Sequence, residues 1–139
     1  MNILFVCRGN VGRSQIAEAI LRQKMNSEFF VQSAGTEAMG SEGKDLDGML
    51  LKDRASSKYV IECLNEIGVD VSNHFIKRLT PAMVQNADKI IVIVKPDAVP
   101  DFLKNNNKIT YWDITDPDEQ NLEFYRITRD KIIKLLETI

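Results

Sequence analysis

The chain has 139 residues, 44% of them hydrophobic, and a net charge of −2. That length suits one domain over residues 1–139 with enough apolar material for a core, and the weakly acidic balance argues against a nucleic-acid or membrane-surface partner. No apolar run approaches the ~20 residues of a membrane span, and the apolar start has no basic leader, so a cytoplasmic protein is expected.

The first element is Ile3-Leu4-Phe5-Val6, a short apolar run that reads as a buried strand over 2–6. A glycine-containing loop, Cys7-Arg8-Gly9-Asn10-Val11-Gly12-Arg13-Ser14, leads into a helix. Ala17, Leu21 and Met25 recur at i, i+4 and i+8 beside Ile16 and Ile20, which gives that helix a wide buried stripe. A second strand is expected at 29–33. Residues 38–54 are polar and glycine-rich and read as a mobile loop insertion, with Met49-Leu50-Leu51 as a short helix inside it. A second helix runs over 56–67 on Val60, Leu64 and Ile67, with Gly68 at its C-cap. Cys63 falls within this pattern and reads as core. Thr80-Pro81 fits an N-cap followed by proline at the first helical position. Ile90-Ile91-Val92-Ile93-Val94 is a continuous β-branched run, the mark of a strand covered on both faces, and sets a third strand at 89–94. A fourth is expected at 108–112. A last helix over 121–136 carries Leu122, Tyr125, Ile132 and Leu136 on one side. Strands alternating with helices imply an α/β fold with a parallel sheet covered on both faces. Such sheets bind ligands beyond the carboxyl ends of their strands, where Cys7 lies.

The loop after the first strand carries the chemistry. A loop between strand and helix directs backbone N–H groups and the positive end of the helix dipole at one point, which suits a phosphate. Cysteine attacks as thiolate, and a helix N-terminus, amide donors and a guanidinium all favour that form. The Ser14 hydroxyl can add a hydrogen bond to the Cys7 sulfur. Gly9 and Gly12 allow positive φ and close approach to an anion, and Asn10 also tolerates left-handed geometry. Arg13 can grip two phosphate oxygens at once. The loop lacks the Lys and spacing of a Walker A motif and the dinucleotide G-x-G-x-x-G fingerprint, so nucleotide binding loses to phosphate-ester chemistry. Transfer from a phosphate ester also needs a proton for the leaving oxygen. The tail offers Asp113, Asp116 and Asp118, of which Asp116 precedes the stiffening Pro117.

Cys7 to Ser14 resembles the phosphate-binding loop of the low-molecular-weight protein tyrosine phosphatase family. Further segments match in the same order: Ser33-Ala34-Gly35-Thr36, Gly68-Val69-Asp70 with His74 and Arg78, Asp116-Pro117, and Leu122-Glu123-Phe124-Tyr125-Arg126. The resemblance implies a three-layer sandwich with a four-stranded parallel sheet in the order 2-1-3-4. It implies Cys7 as nucleophile, Arg13 as phosphate grip and Asp116 as general acid, with Arg8, Gly9, Asn10, Val11, Gly12 and Ser14 binding the substrate phosphate. His74, the one histidine, would brace Asn10. No cofactor and no metal are expected. The expected partner is a phosphorylated protein or a small aryl phosphate, and the protein is expected to be a monomer.

Several positions depart from the family's pattern. Gly12 stands where relatives often have a second, protective cysteine. Asp118 and Glu119 stand where tyrosine-specific relatives often carry aromatics, which favours small aryl phosphates or a basic phosphopeptide. Val11 stands where tyrosine phosphatases resemble one another in Ile and the phosphoarginine phosphatase branch has Thr; its apolar branch favours phosphotyrosine. Thioredoxin-coupled arsenate reductases share the loop but need further cysteines near the third strand, and residues 89–100 contain none. A phosphoarginine phosphatase and a non-catalytic phosphate- or phosphopeptide-binding module stay open as alternatives.

Overall fold

The computed structural model describes residues 1–24, 29–39, 43–117 and 120–139. Four strands form its sheet: β1 (Asn2–Cys7), β2 (Phe30–Gly35), β3 (Lys89–Val92) and β4 (Ile109–Tyr111). All neighbours are parallel, in the order β2-β1-β3-β4, with Leu4 opposite Gln32 on one side and Ile90 on the other. The helices are α1 (Arg13–Lys24), α2 (Lys58–Asn65), α3 (Pro81–Asn86) and α4 (Leu122–Leu136). None of the described helices is long and apolar enough to cross a membrane.

The period of two along β1 divides the core. Ile3, Phe5 and Cys7 point into one cluster with Ile16, Ile20, Val60, Leu64 and Ile132, from α1, α2 and α4. Leu4 and Val6 point into the other, with Val84 of α3 and Leu103. From Ile3 to Cys7 β1 thus needs apolar residues in succession, because both of its faces are covered there. Each fully buried aliphatic side chain here contributes roughly 1.5–3 kcal/mol of burial.

The expected caps are present. Thr80 Oγ1 accepts from Met83 N ahead of Pro81, and Asn121 Oδ1 accepts from Phe124 N. Gly68 takes φ 78° after α2, where its N–H donates to Asn65 O. Met25, the last residue of the expected α1 stripe, lies outside the described residues. The strand edges differ from expectation. β2 reaches Gly35 because 77–79 pairs alongside it: Gly35 N donates to Lys77 O and Leu79 N to Gly35 O.

Within the 38–54 stretch, the described residues include packed ones that the composition does not suggest. Ala38, Leu46 and Leu51 are buried in the core. Met49 to Lys52 is laced to Ser72 to Ile76: Leu51 N donates to His74 O, Lys52 N to Ser72 O and Ile76 N to Met49 O. Leu51–Asp53 forms a single 3-10 turn in place of a helix at Met49. Gly40, Ser41 and Glu42 lie outside the described residues.

Candidate active site

β1 delivers Cys7 at its carboxyl end, and α1 begins at Arg13, so the intervening turn wraps over the sulfur. Cys7 Sγ lies 2.9 Å from Ser14 Oγ. Ser14 Oγ in turn accepts from Asn10 Nδ2 at 2.9 Å. When Cys7 is a thiolate it has no proton to give, so Ser14 must be the donor in their contact.

Asn10 is the keystone of the turn. It takes φ 55°, the left-handed region, and is fully buried. Its carboxamide uses its whole hydrogen-bonding capacity. Nδ2 donates to Ser14 Oγ and to Ser33 Oγ, both at 2.9 Å. Oδ1 accepts from Lys77 N at 2.8 Å and from Gln15 Nε2 at 3.1 Å. Gln15 Nε2 also donates to the carbonyls of Asn10 and Phe75. Four polar partners from α1, β2 and the 75–77 segment therefore hold a conformation that costs a non-glycine residue energy. The left-handed φ falls to Asn10 and not to Gly9 or Gly12, which lie outside the positive-φ region. The glycine that close packing demands is Gly35. A Cβ there would sit 2.7 Å from Arg8 O and 2.9 Å from Asn10 N. β2 closes further on the turn through Thr36 N to Cys7 O and Glu37 N to Arg8 O.

Arg13 ties three segments together. Nη1 donates to Ile93 O at 2.7 Å and to Ile114 O at 3.0 Å, while Nη2 lies 3.4 Å from Asp116 Oδ2. Arg13 is 8% exposed, and its guanidinium is held by the backbone just after β3 and after β4. Pro117 approaches from the same segment, its Cγ 4.0 Å from where a Cβ on Gly12 would lie.

These groups open onto a cleft of about 620 Å³. Of the residues expected to act, Cys7, Arg8, Gly9, Val11, Gly12, Arg13 and Asp116 line it together. Asn10 and Ser14 lie buried beneath it. Sequence reasoning missed Arg54 and Tyr125, which also face the cleft. Tyr125 sits on the expected apolar stripe of α4, and a tyrosine there, where leucine would pack as well, was the available signal. Asp118 and Glu119 lie outside the described residues.

His74 is placed otherwise than expected. Asn10 is braced by Gln15, Ser14, Ser33 and Lys77, whereas His74 Nδ1 faces Glu18 Oε2 at 3.7 Å, beyond hydrogen-bond reach. Burial pushes the His74 imidazole below its ordinary pKa of 6.5, against the pull of Glu18. The Glu18 carboxylate is buried among His74, Arg22 and Lys77, each at 3.7–3.8 Å. The reason lies in the residue after Ser14: the Gln15 amide reaches Asn10 from within α1, so no imidazole is needed there. Among the described residues no three metal-ligating side chains gather.

The family model described as low molecular weight phosphotyrosine protein phosphatase matches residues 2–139. The chain belongs to this family. Its fold is the cysteine-based phosphatase fold that the order β2-β1-β3-β4 already traces. Among solved structures it is similar to Vibrio vulnificus Wzb in complex with benzylphosphonate, at 29% identity and a TM-score of 0.78, over 99% of this chain and 94% of that one. It is similar also to the YwlE arginine phosphatase from Geobacillus stearothermophilus, at 26% identity and a TM-score of 0.73, over 98% and 88% of the two chains. A curated relative named arsenate reductase, from Staphylococcus aureus (strain Newman), is 28% identical over 94% of this chain and 88% of its own.

Proposed function

We propose that this chain is a metal-independent phosphomonoester hydrolase, a protein-tyrosine phosphatase that works through a cysteinyl-phosphate. One observation carries the reading: a thiol, a guanidinium and a carboxylate converge on one cleft, Arg13 with Asp116 at 3.4 Å, and the Ser14 hydroxyl lies beneath it 2.9 Å from the Cys7 sulfur. Cys7 Sγ attacks phosphorus in line, the bond to the leaving oxygen breaks, and Asp116 gives that oxygen its proton. Water then attacks the phosphocysteine, Asp116 takes the water's proton, and the thiolate departs. Arg13 and the amides of the turn hold the equatorial oxygens through both steps. The lining of the cleft offers Val11, Met39 and Tyr125 to an aromatic ring.

A second reading, phosphoarginine hydrolysis, is favoured by the likeness to an arginine phosphatase and by the exposed Asp116 carboxylate on the cleft wall, which suits a guanidinium substrate. Val11 supports the phosphotyrosine reading, since an apolar side chain offers a guanidinium no hydrogen bond. Arsenate reduction consumes two electrons, and Cys7 would need a second thiol to supply them. The other thiol, Cys63, is buried in α2 on the Val60 carbonyl, and burial pushes it up to about 11, so it is a poor reductant for Cys7.

The test is steady-state turnover of phosphotyrosine and phosphoarginine peptides in EDTA, with Asp116→Ala alongside. Turnover of phosphotyrosine that Asp116→Ala slows by about 10²–10⁴ is expected. A preference for phosphoarginine would move the assignment to the second reading. Phosphate binding without turnover of either would make the chain a binding module.

A further inference from the structure

The arginines along the cleft differ in what they hold. Arg8 Nε bonds Glu37 Oε2 at 2.6 Å. Arg78 forks onto Asp45, with Nη2 at 2.6 Å and Nη1 at 3.2 Å. Arg13 takes two carbonyls and faces Asp116. Arg54 stands apart: its guanidinium gives only Nε to Ser56 Oγ, at 2.5 Å, and among the described residues it has no carboxylate within ion-pair distance. It is nevertheless half-buried in the cleft wall.

Its backbone is fixed. Arg54 is the extended residue, φ −112° and ψ 119°, between two 3-10 turns, Leu51–Asp53 and Ala55–Ser57. Arg54 N donates to Leu51 O, and its own carbonyl accepts from Ser57 N. The turn before it is anchored by Leu51, fully buried in the core. A half-buried guanidinium on so fixed a base, its Nη1 and Nη2 without a partner among the described residues, is a preformed donor site for a carboxylate. Glu37, which lines the same cleft, is already paired with Arg8, and that pairing weakens its repulsion of an incoming carboxylate.

We propose that Arg54 is a specificity-determining residue that binds a carboxylate next to the phosphorylated residue, so that the substrate is an acidic phosphopeptide. The inference rests on the phosphatase reading for its substrate, and it sharpens that reading. It runs against the basic phosphopeptide that Asp118 and Glu119 suggest.

The test uses phosphotyrosyl peptides of equal length in which Glu, Gln or Lys flanks the phosphotyrosine. Their affinity for Cys7→Ser is measured alone and combined with Arg54→Gln, Arg54→Glu or Arg54→Lys. Binding to Cys7→Ser needs no turnover, and wild-type hydrolysis of para-nitrophenyl phosphate, run alongside, reports on the phosphatase reading by itself. The Glu peptide is expected to bind about three- to tenfold tighter than the Gln peptide. Arg54→Gln removes that ratio, Arg54→Glu inverts it and Arg54→Lys restores part of it. Circular dichroism of each variant confirms that it is folded. Equal affinity for the three peptides, preference for Lys, an unchanged ratio in Arg54→Gln, or no binding of any peptide overturns the proposal. Equal weakening of all three by Arg54→Gln would mean that Arg54 holds the phosphate itself and would overturn it as well.

Discussion

At the junction of α2 and α4, Arg126 and Arg129 close on Glu66. Arg126 places Nη2 at 2.6 Å and Nε at 2.9 Å from Glu66 Oε2, and Arg129 places Nη1 at 2.7 Å from Oε1. Arg129 completes itself with Cys63 O and Asp130. Along the cleft two arginines are answered less fully: among the described residues Arg54 has no acid within ion-pair distance, and Arg13 spends its guanidinium on two carbonyls and stands 3.4 Å from an exposed Asp116. The first cluster binds elements of the fold to each other, so its charges are answered internally. The second leaves positive charge for something that arrives from solvent, and a phosphate ester with an acidic neighbour supplies it.

That contrast can be broken at either end. The largest effect is expected at the open end. Arg13→Lys keeps the charge but loses the fork and both carbonyl contacts, and kcat should fall by about 10²–10³. Arg126→Lys, the matching change in the closed cluster, should leave kcat unchanged and lower only the melting temperature. Stopped-flow turnover beside thermal unfolding checks both, and equal kinetic losses would erase the distinction.

The smallest effect belongs to Glu66. Hydrogen bonds from Arg126 first and Arg129 second hold its carboxyl down at about 2, from an ordinary 4.5. A carboxyl whose folded pKa is depressed stabilises the fold above its unfolded value, and that stabilisation is lost as pH falls through the folded one. Glu66→Gln should therefore be less stable than wild type at pH 7, with the gap closing as pH falls from about 4.5 towards 2. Urea unfolding across that range reads it. A gap that does not depend on pH would show that Glu66 acts through packing and not through charge.

The parts of the site legible in the sequence were the contiguous ones. Cys7, Ser14 and Arg13 lie within one strand–turn–helix, so spacing alone brings them together. Asp116 was legible through its proline and through the resemblance, and the structure sets it beside Arg13. The support under the turn was not legible. Ser33, Gln15 and the Lys77 amide reach Asn10 from three elements, and only the packed fold puts them there. The same cause misplaced His74, because Gln15 had already taken the position next to Asn10. Over residues 43–54, polar and glycine-rich composition concealed Leu46 and Leu51, whose burial anchors the segment that carries Arg54. The sheet order came from the resemblance, since alternation of strands and helices sets no order by itself.

The most direct test of the central claim is to catch the covalent intermediate. Asp116→Ala would be mixed with para-nitrophenyl phosphate, quenched within milliseconds to seconds and digested, and its peptides read by mass spectrometry. The account predicts a phosphate on the Cys7 peptide, absent in Cys7→Ser and lost on longer incubation as water hydrolyses it. Turnover by the wild type with no phosphate ever found on Cys7 would contradict it.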